Sequence, residues 1–326
     1  MPNPIESVHC QLIGRDNGAG LSRDLTLLAQ NLRSVGVQAE TAALPHRGRL
    51  AEWITQWRLL GRAPAFDLNL MLERIRPEFL RAARRNVLIP NPEYFRPRDR
   101  AALDRIDAAW VKTRHAERLF RALGTPVRYI GFASMDCLRA EVPRQAGFFH
   151  GPGRSNNKGT QALLKLWAEH PQWPTLTVVW RRKRTGSAET MPLPANVRLI
   201  REHLDDDAYR RLQNSYRFHL CPSQTEGYGH YIVEAMSCAA VVITLDAEPM
   251  HELVVPERGI LVPAQPCGQQ DLATLYGFEA KDMTTAIERC IAMPPEEAEA
   301  LGTAARRWYD EAMRAFPQRL SEALQT

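Results

Sequence analysis

Two carboxylates frame a pair of glycines in the stretch Cys221-Pro-Ser-Gln-Thr-Glu-Gly-Tyr-Gly-His-Tyr-Ile-Val-Glu-Ala-Met236. They are Glu226 and Glu234, with seven residues between them. Gly227 and Gly229 let the backbone come close to a ligand. The apolar run that follows predicts a helix over 230–239, and a helix N-terminus attracts phosphate. Glu226 precedes that helix and Glu234 lies about one turn into it. At ~1.5 Å of rise per residue the two carboxylates can stand either side of a bound pyrophosphate. Ionised carboxylates accept hydrogen bonds from sugar or ribose hydroxyls. The pattern reads as a carboxylate for one sugar, a helix end for phosphates and a carboxylate for the other sugar. The plainer alternative is a strand–loop–helix in which Glu226 caps the helix and Glu234 is solvated.

Two cations precede this stretch, Arg154 and Lys158 in Gly153-Arg-Ser-Asn-Asn-Lys-Gly-Thr160. A leaving phosphate gathers negative charge, and fixed cations at that point lower the barrier. No Asp-x-Asp motif is read in the chain, so a metal clamp is not expected, and protein cations and a helix end are expected to take a metal's part. No metal site and no cofactor are expected; the alternative for Arg154 and Lys158 is a solvated loop.

Weaker signals stand beside these. Asn91-Pro-Glu-Tyr-Phe95 follows a short apolar strand, and Glu93 there is a candidate to meet an acceptor hydroxyl or a sugar, set against a turn with a surface carboxylate. Asn17, Gly18 and Gly20 in the first loop are candidates to border phosphates, set against a plain turn, and Lys112 and Thr113 are placed the same way. His219, Cys221, His230 and Cys238 raise the question of zinc, but the usual ligand pairs are missing and core thiols are the expected reading. His230 is also a candidate for sugar or phosphate contact. Arg181, Arg182, Lys183 and Arg184 read as a solvated loop, with donor or acidic-acceptor contact as the alternative.

The elements that must hold these residues alternate strand and helix. In the first half, strands are expected at 8–14, 37–42, 66–72, 86–90, 107–112 and 127–130, with helices at 21–35, 50–60, 77–85 and 113–123. A linker at 139–146 contains Pro143. The second half continues with strands at 146–150, 175–180, 196–200, 216–221, 240–245 and 259–262. Its helices are expected at 159–169, 206–214 and 230–239, with a helical tail over 279–324. Two such series predict an α/β chain of two Rossmann-like parallel-sheet domains facing a cleft. The divisions are 1–143, 144–305, and a C-terminal helix 306–326 packing back on the first domain.

Of the 326 residues, 44% are hydrophobic and 24% charged, which excludes a disordered chain. No run approaches the ~18 apolar residues of a membrane span, and no secretory signal precedes Cys10. Six scattered cysteines without a CxxC pair indicate free thiols in a reducing cytoplasm. The net charge of +5 suits an acidic partner such as a nucleotide, a lipid-linked phosphate, a membrane surface or nucleic acid. Trp53 and Trp57 fall at helical spacing with Arg47, Arg49, Arg58 and Arg62 around them. The expected reading is packing on the sheet; peripheral contact with a membrane face or with an acceptor is the alternative.

The Glu226–Glu234 stretch resembles the Glu-x7-Glu motif of retaining GT-B glycosyltransferases, family 4 in particular. The continuation Cys238-Ala-Ala-Val-Val-Ile-Thr-Leu-Asp-Ala-Glu-Pro-Met-His-Glu252 and the loop 153–160 are also similar, so the resemblance covers about 146–265. It implies a glycosyltransferase that moves a sugar from a nucleotide-sugar donor with retention of configuration. Glu226 would hold hydroxyls of the transferred sugar, and Glu234 the ribose. Arg154 and Lys158 would neutralise the pyrophosphate. Ser155 would lie in the phosphate-contacting loop, and Gly227, Tyr228 and Gly229 would shape the facing one. Ala239 stands where the family has glycine. The acceptor, a glycan or lipid-linked glycan, would fall to the N-terminal half. A route through a covalent intermediate would need a further carboxylate, for which Glu93 is the candidate. The competing readings are a sugar transferase acting on modified bases of DNA and a catalytically silent nucleotide-sugar-binding protein.

Overall fold

The chain opens with strand β1 (His9–Ile13), which leads into helix α1 (Gly20–Ser34), and the alternation repeats. In this computed structural model, residues 8–15, 20–42, 44, 49–59, 61–181 and 193–325 are described. β2 (Gln38–Thr41), α2 (Arg49–Arg58), β3 (Phe66–Glu73), β4 (Ala83–Pro90), α3 (Pro97–Arg100), β5 (Ala108–Val111), α4 (Arg114–Ala122) and β6 (Val127–Tyr129) follow. Their strands form one sheet in the order β2-β1-β3-β4-β5-β6, every pair parallel. Parallel strands are covered on both faces, which is why their sequences read as continuous apolar runs. Leu70, Val87, Leu88, Ile89 and Val111 are fully buried, each worth about 1.5–3 kcal/mol.

The second sheet repeats the plan. It is built from β7 (Gln145–Gly153), α5 (Thr160–Glu169), β8 (Leu176–Trp180), β9 (Val197–Ile200), α6 (Asp206–Asn214), β10 (Tyr216–Cys221), α7 (His230–Ser237), β11 (Val241–Asp246), α8 (Met250–Leu253) and β12 (Gly259–Pro263). The strand order is β12-β11-β10-β7-β8-β9, again all parallel. The hairpin β13 (Gln265–Gln270) and β14 (Ala273–Gly277) follows, and α9 (Ala280–Ala292) and α10 (Pro295–Leu324) end the chain.

Two compact units result: Met1–Ala133 with Gln270–Ala273 and Ala312–Thr326, and Ser134–Gln269 with Thr274–Glu311. Residues 139–146, read from sequence as a linker, count with the second unit. The end of α10 packs within the first unit, where Phe316 lies 5.3 Å from Phe132 between ring centroids.

Three expectations need correction. Residues 77–85 form not a helix but a single 3-10 turn, Pro77–Phe79, before β4 begins at Ala83. Asn69 and Asn86, neighbours across β3 and β4, donate to the carbonyls of Phe79 (2.8 Å) and Leu80 (3.0 Å), which closes the turn. Residues 83–85 then join the ladder opposite Phe66–Leu68. The tail is two helices, broken at Pro294 and Pro295. The hairpin β13–β14 carried no alternating apolar pattern to announce it. The third correction concerns α2, whose tryptophans do not pack on the sheet: Trp53 is 61% exposed and Trp57 65%. Trp53, Ile54, Trp57 and Arg58 share the exposed face, while Thr55 is half-buried on the other side.

Candidate functional site

The chemistry-bearing residues of the second unit gather where β7 and β10 end. β7 ends at Gly153 and its loop carries Arg154 to Gly159; β10 ends at Cys221 and its loop runs to Gly229. The two loops are tied together by a backbone bond from Gln224 N–H to Asn157 O at 2.9 Å. Gly159 caps α5 with φ +67°, and a Cβ there would come 2.9 Å from the Pro222 carbonyl oxygen. Only glycine meets both demands. At Gly229, the cap of α7, φ is +100° and a Cβ would stand 2.9 Å from Leu253 Cδ1.

This closeness brings Lys158 to Glu226. The ammonium donates to Glu226 Oε1, and the two side chains are only 15% and 11% exposed. Ser223 Oγ donates to the same oxygen at 2.5 Å. The Tyr231 hydroxyl lies 2.5 Å from Ser223 Oγ. Ser223 has one proton and gives it to Glu226, so Tyr231 must donate to Ser223 in turn. Burial pushes the Tyr231 phenol well above its usual range, which keeps that proton in place. The Tyr231 ring also sits under Lys158, 4.3 Å from Nζ to the ring centroid. Glu226 is thus oriented by a chain of hydroxyls and neutralised by one cation.

Beneath the site, His150 on β7 is buried. Its Nδ1 donates to the Leu220 carbonyl at 2.7 Å, which leaves Nε2 to accept from Thr160 Oγ1 at 2.9 Å. Burial, with Lys158 nearby, holds its pKa down at about 4, so the ring is neutral. It fixes Thr160, the first residue of α5, directly after the glycine cap.

The other sequence candidates divide. Glu234 is buried in α7, not solvated. Gly227, Tyr228 and Gly229 are buried in the turn before it. His230 opens α7; its Nδ1 lies 2.7 Å from Ser134 Oγ, and the Tyr228 ring meets it edge-on at 5.2 Å. Arg154 is exposed on the loop, and Ser155 Oγ accepts from Asn157 N–H at 3.2 Å. Gly20 begins α1 in the first unit. Asn17 and Gly18 lie outside the described residues, as do Arg47, Arg182, Lys183 and Arg184. Arg181 is bonded to His203 at 2.7 Å. Ala239, after α7, takes φ +51°, the left-handed turn for which glycine is suited.

Two residues of the first unit have structural roles: Lys112 is buried against Asp24 (2.5 Å) and Asn91 (3.1 Å), and Thr113 caps α4 by accepting from Ala116 N–H. Glu93 is buried in the turn after β4, not on the surface. An Asp-x-Asp triplet does exist, Asp205-Asp206-Asp207. There Asp205 caps α6 and Asp207 pairs with Arg211 at 2.8 Å, so the triplet serves the helix start. Among the described residues no group of three or more His, Cys, Asp or Glu is arranged to hold a metal ion. His219 is bonded to the Gln213 carbonyl, and Cys221 and Cys238 are buried thiols. No described helix is long and apolar enough to cross a membrane.

Sequence reasoning assigned nothing to Ser223, Tyr231, His150 or Thr160. The first two lie inside the stretch singled out above, but a hydroxyl relay has no spacing signature.

Comparison with known proteins bears on this geometry. Residues 155–308 match the model of the family Glycosyl transferases group 1, an interval that holds Lys158, Glu226 and Glu234. The matched interval lies mostly within the second unit. Among solved structures, HepE of Anabaena in complex with UDP-glucose matches with a TM-score of 0.69 at 14% identity, over 98% of this chain and all of that one. Sucrose-phosphate synthase from Thermosynechococcus elongatus matches with 0.68 at 16% identity, over 98% of both chains. A glycosyltransferase from Rickettsia africae matches with 0.67 at 12% identity, over 98% of both chains. No curated protein sequence matches the chain. At these identities the neighbours establish the fold, the two-sheet GT-B architecture.

Proposed function

We propose that the chain is a retaining glycosyltransferase whose second unit binds a nucleotide-sugar donor at the Lys158–Glu226 pair. The observation that carries this reading is the pair itself, neutralised and oriented between two glycine-tight loops beside the start of α7. Glu226 accepts hydrogen bonds from the transferred sugar. Lys158, with Arg154 from the same loop and the N-terminus of α7, offsets charge on the pyrophosphate. Glu234 takes the ribose. The acceptor hydroxyl attacks the anomeric carbon on the face from which the phosphate departs. The bond from that carbon to the phosphate oxygen breaks, and the leaving phosphate removes the hydroxyl proton. The products are a glycoside of unchanged configuration and a nucleoside diphosphate. Protein cations serve the leaving group, so no added metal is required.

UDP is the first nucleotide to test, since the HepE structure holds UDP-glucose. The acceptor is a glycan or lipid-linked glycan recognised by the first unit. The exposed Trp53 and Trp57, with Arg58 beside them, suit a partly apolar, anionic partner such as a lipid-linked glycan at a membrane surface. Thermal-shift measurements with UDP, GDP, ADP and TDP identify the nucleotide, because a ligand of the folded state raises its stability. Glu226→Ala is then expected to keep the fold and to lose at least about tenfold in turnover, the worth of one charge-assisted hydrogen bond. Near-normal turnover in a folded variant would remove Glu226 from the reaction.

A further inference from the structure

The first unit contains a carboxylate whose placement the donor chemistry does not explain. Glu73 ends β3, level with Pro90 at the end of β4. Its φ is +69°, and Arg74 N–H donates to the Leu72 carbonyl across it at 2.8 Å. That is a three-residue turn of the positive-φ kind, the rarer and more strained of the two forms. A side chain with a Cβ costs free energy there, and glycine would not. The sequence nevertheless places glutamate at this position.

The carboxylate is also unclaimed. Among the described residues no hydrogen bond or ion pair is made by the Glu73 side chain, although cations surround it. Arg74 pairs with Asp99 at 3.4 Å and Lys112 with Asp24 at 2.5 Å. Arg15 is exposed. Burial, with Asp24 adding to it, raises the pKa of the Glu73 carboxyl and outweighs Arg74, Lys112 and Arg15, which act through space to lower it. A half-buried carboxylate held in a strained turn and left without a partner is prepared for a ligand's donors. It stands at the carboxyl end of a parallel sheet, where ligands of such sheets bind.

We propose that Glu73 is the acceptor-binding carboxylate of the first unit, taking hydroxyls of a sugar acceptor beside the Lys112–Asp24 pair. The inference rests on the glycosyltransferase reading above and adds the residue that selects the acceptor. Strain at Glu73 is then retained for binding, and relieving it should trade function for stability.

The test compares wild type, Glu73→Gln and Glu73→Gly. UDP affinity is measured by calorimetry, and transfer from UDP-glucose is measured to methyl glycosides of glucose, galactose, mannose and N-acetylglucosamine. Glu73→Gln is expected to hold UDP affinity within about twofold and to lose at least about tenfold in kcat/KM for the glycoside used, as a lost charged hydrogen bond does. Glu73→Gly is expected to show the same loss with a Tm raised by about 2 °C. It decides the matter if Glu73→Gln does not fold. Equal transfer by the variants overturns the inference, and so does a UDP-binding wild type that uses none of the glycosides. A wild type that binds no UDP overturns instead the reading on which the inference rests.

Discussion

Each sheet carries a lysine–carboxylate pair near the ends of its strands, and the two pairs differ in what water can reach. In the first unit the side chains of Lys112 and Asp24 are 3% and 5% exposed, with Asn91 and the Phe132 ring closing over the ammonium. In the second unit Lys158 and Glu226 keep 15% and 11% exposure on two loops that their glycines let approach closely. A sealed pair satisfies itself and fastens α1 to the strand ends. A pair left partly open still has donors and acceptors to offer a ligand. A lysine–carboxylate pair thus fastens elements together in the first unit and keeps some exposure to solvent in the second.

The comparison breaks most visibly through substitution of the lysines. Lys112→Met leaves Asp24 buried without its cation and is expected to cost about 3–5 kcal/mol. Lys158→Met, at a pair less fully buried than Lys112–Asp24, is expected to cost less, about 1–3 kcal/mol, and to leave a folded protein. Denaturant unfolding of both variants checks this; similar losses would erase the distinction between the two pairs.

Acid sharpens the contrast next, because the second unit stands on two buried neutral histidines. His150 and His219 have pKa values held at about 4 by burial, below their ordinary 6.5. Between those values the unfolded chain binds more protons than the folded one. Stability is therefore undiminished above pH 6.5, falls as the pH drops through 6.5, and stops falling only below about 4. At pH 5 each histidine is expected to cost about 2 kcal/mol. Midpoints of denaturant unfolding between pH 7.5 and 5 measure the slope, and a flat profile with His150 and His219 intact would contradict it.

The smallest stability effect is expected at the exposed face of α2. Trp53→Ala with Trp57→Ala should change stability by no more than about 0.5 kcal/mol, since neither ring is buried. Sedimentation with vesicles containing anionic lipid should nevertheless show weaker binding of the double variant than of wild type. A variant that unfolds would put the rings in the core, and one that binds vesicles equally would remove α2 from the membrane surface.

How far the sequence discloses this molecule depends on the range of the interaction. Strands such as Leu68–Leu72 and Val87–Ile89 announce themselves because burial on both faces leaves no polar alternation to confuse the pattern. Glu226, Glu234 and their glycines are legible because they lie on one loop and the helix that follows it. Lys158 is legible as a cation, whereas its seating on Tyr231 depends on contacts 73 residues apart in the chain. His150 was missed because its partners, Leu220 and Thr160, come from two other elements. The period of α2 marks a stripe bearing both tryptophans but cannot tell whether that stripe faces in or out. The backbone of Glu73 is invisible for a different reason, since a glutamate at a strand end carries no sign of a left-handed turn.

The central claim is that the donor's diphosphate is held in the second unit by the open pair. Its most direct test is titration calorimetry of UDP against wild type and Lys158→Met. The expected result is binding by wild type and at least about tenfold weaker binding by the variant, a difference of about 1.4 kcal/mol. A folded Lys158→Met protein with the Kd of wild type would contradict the claim.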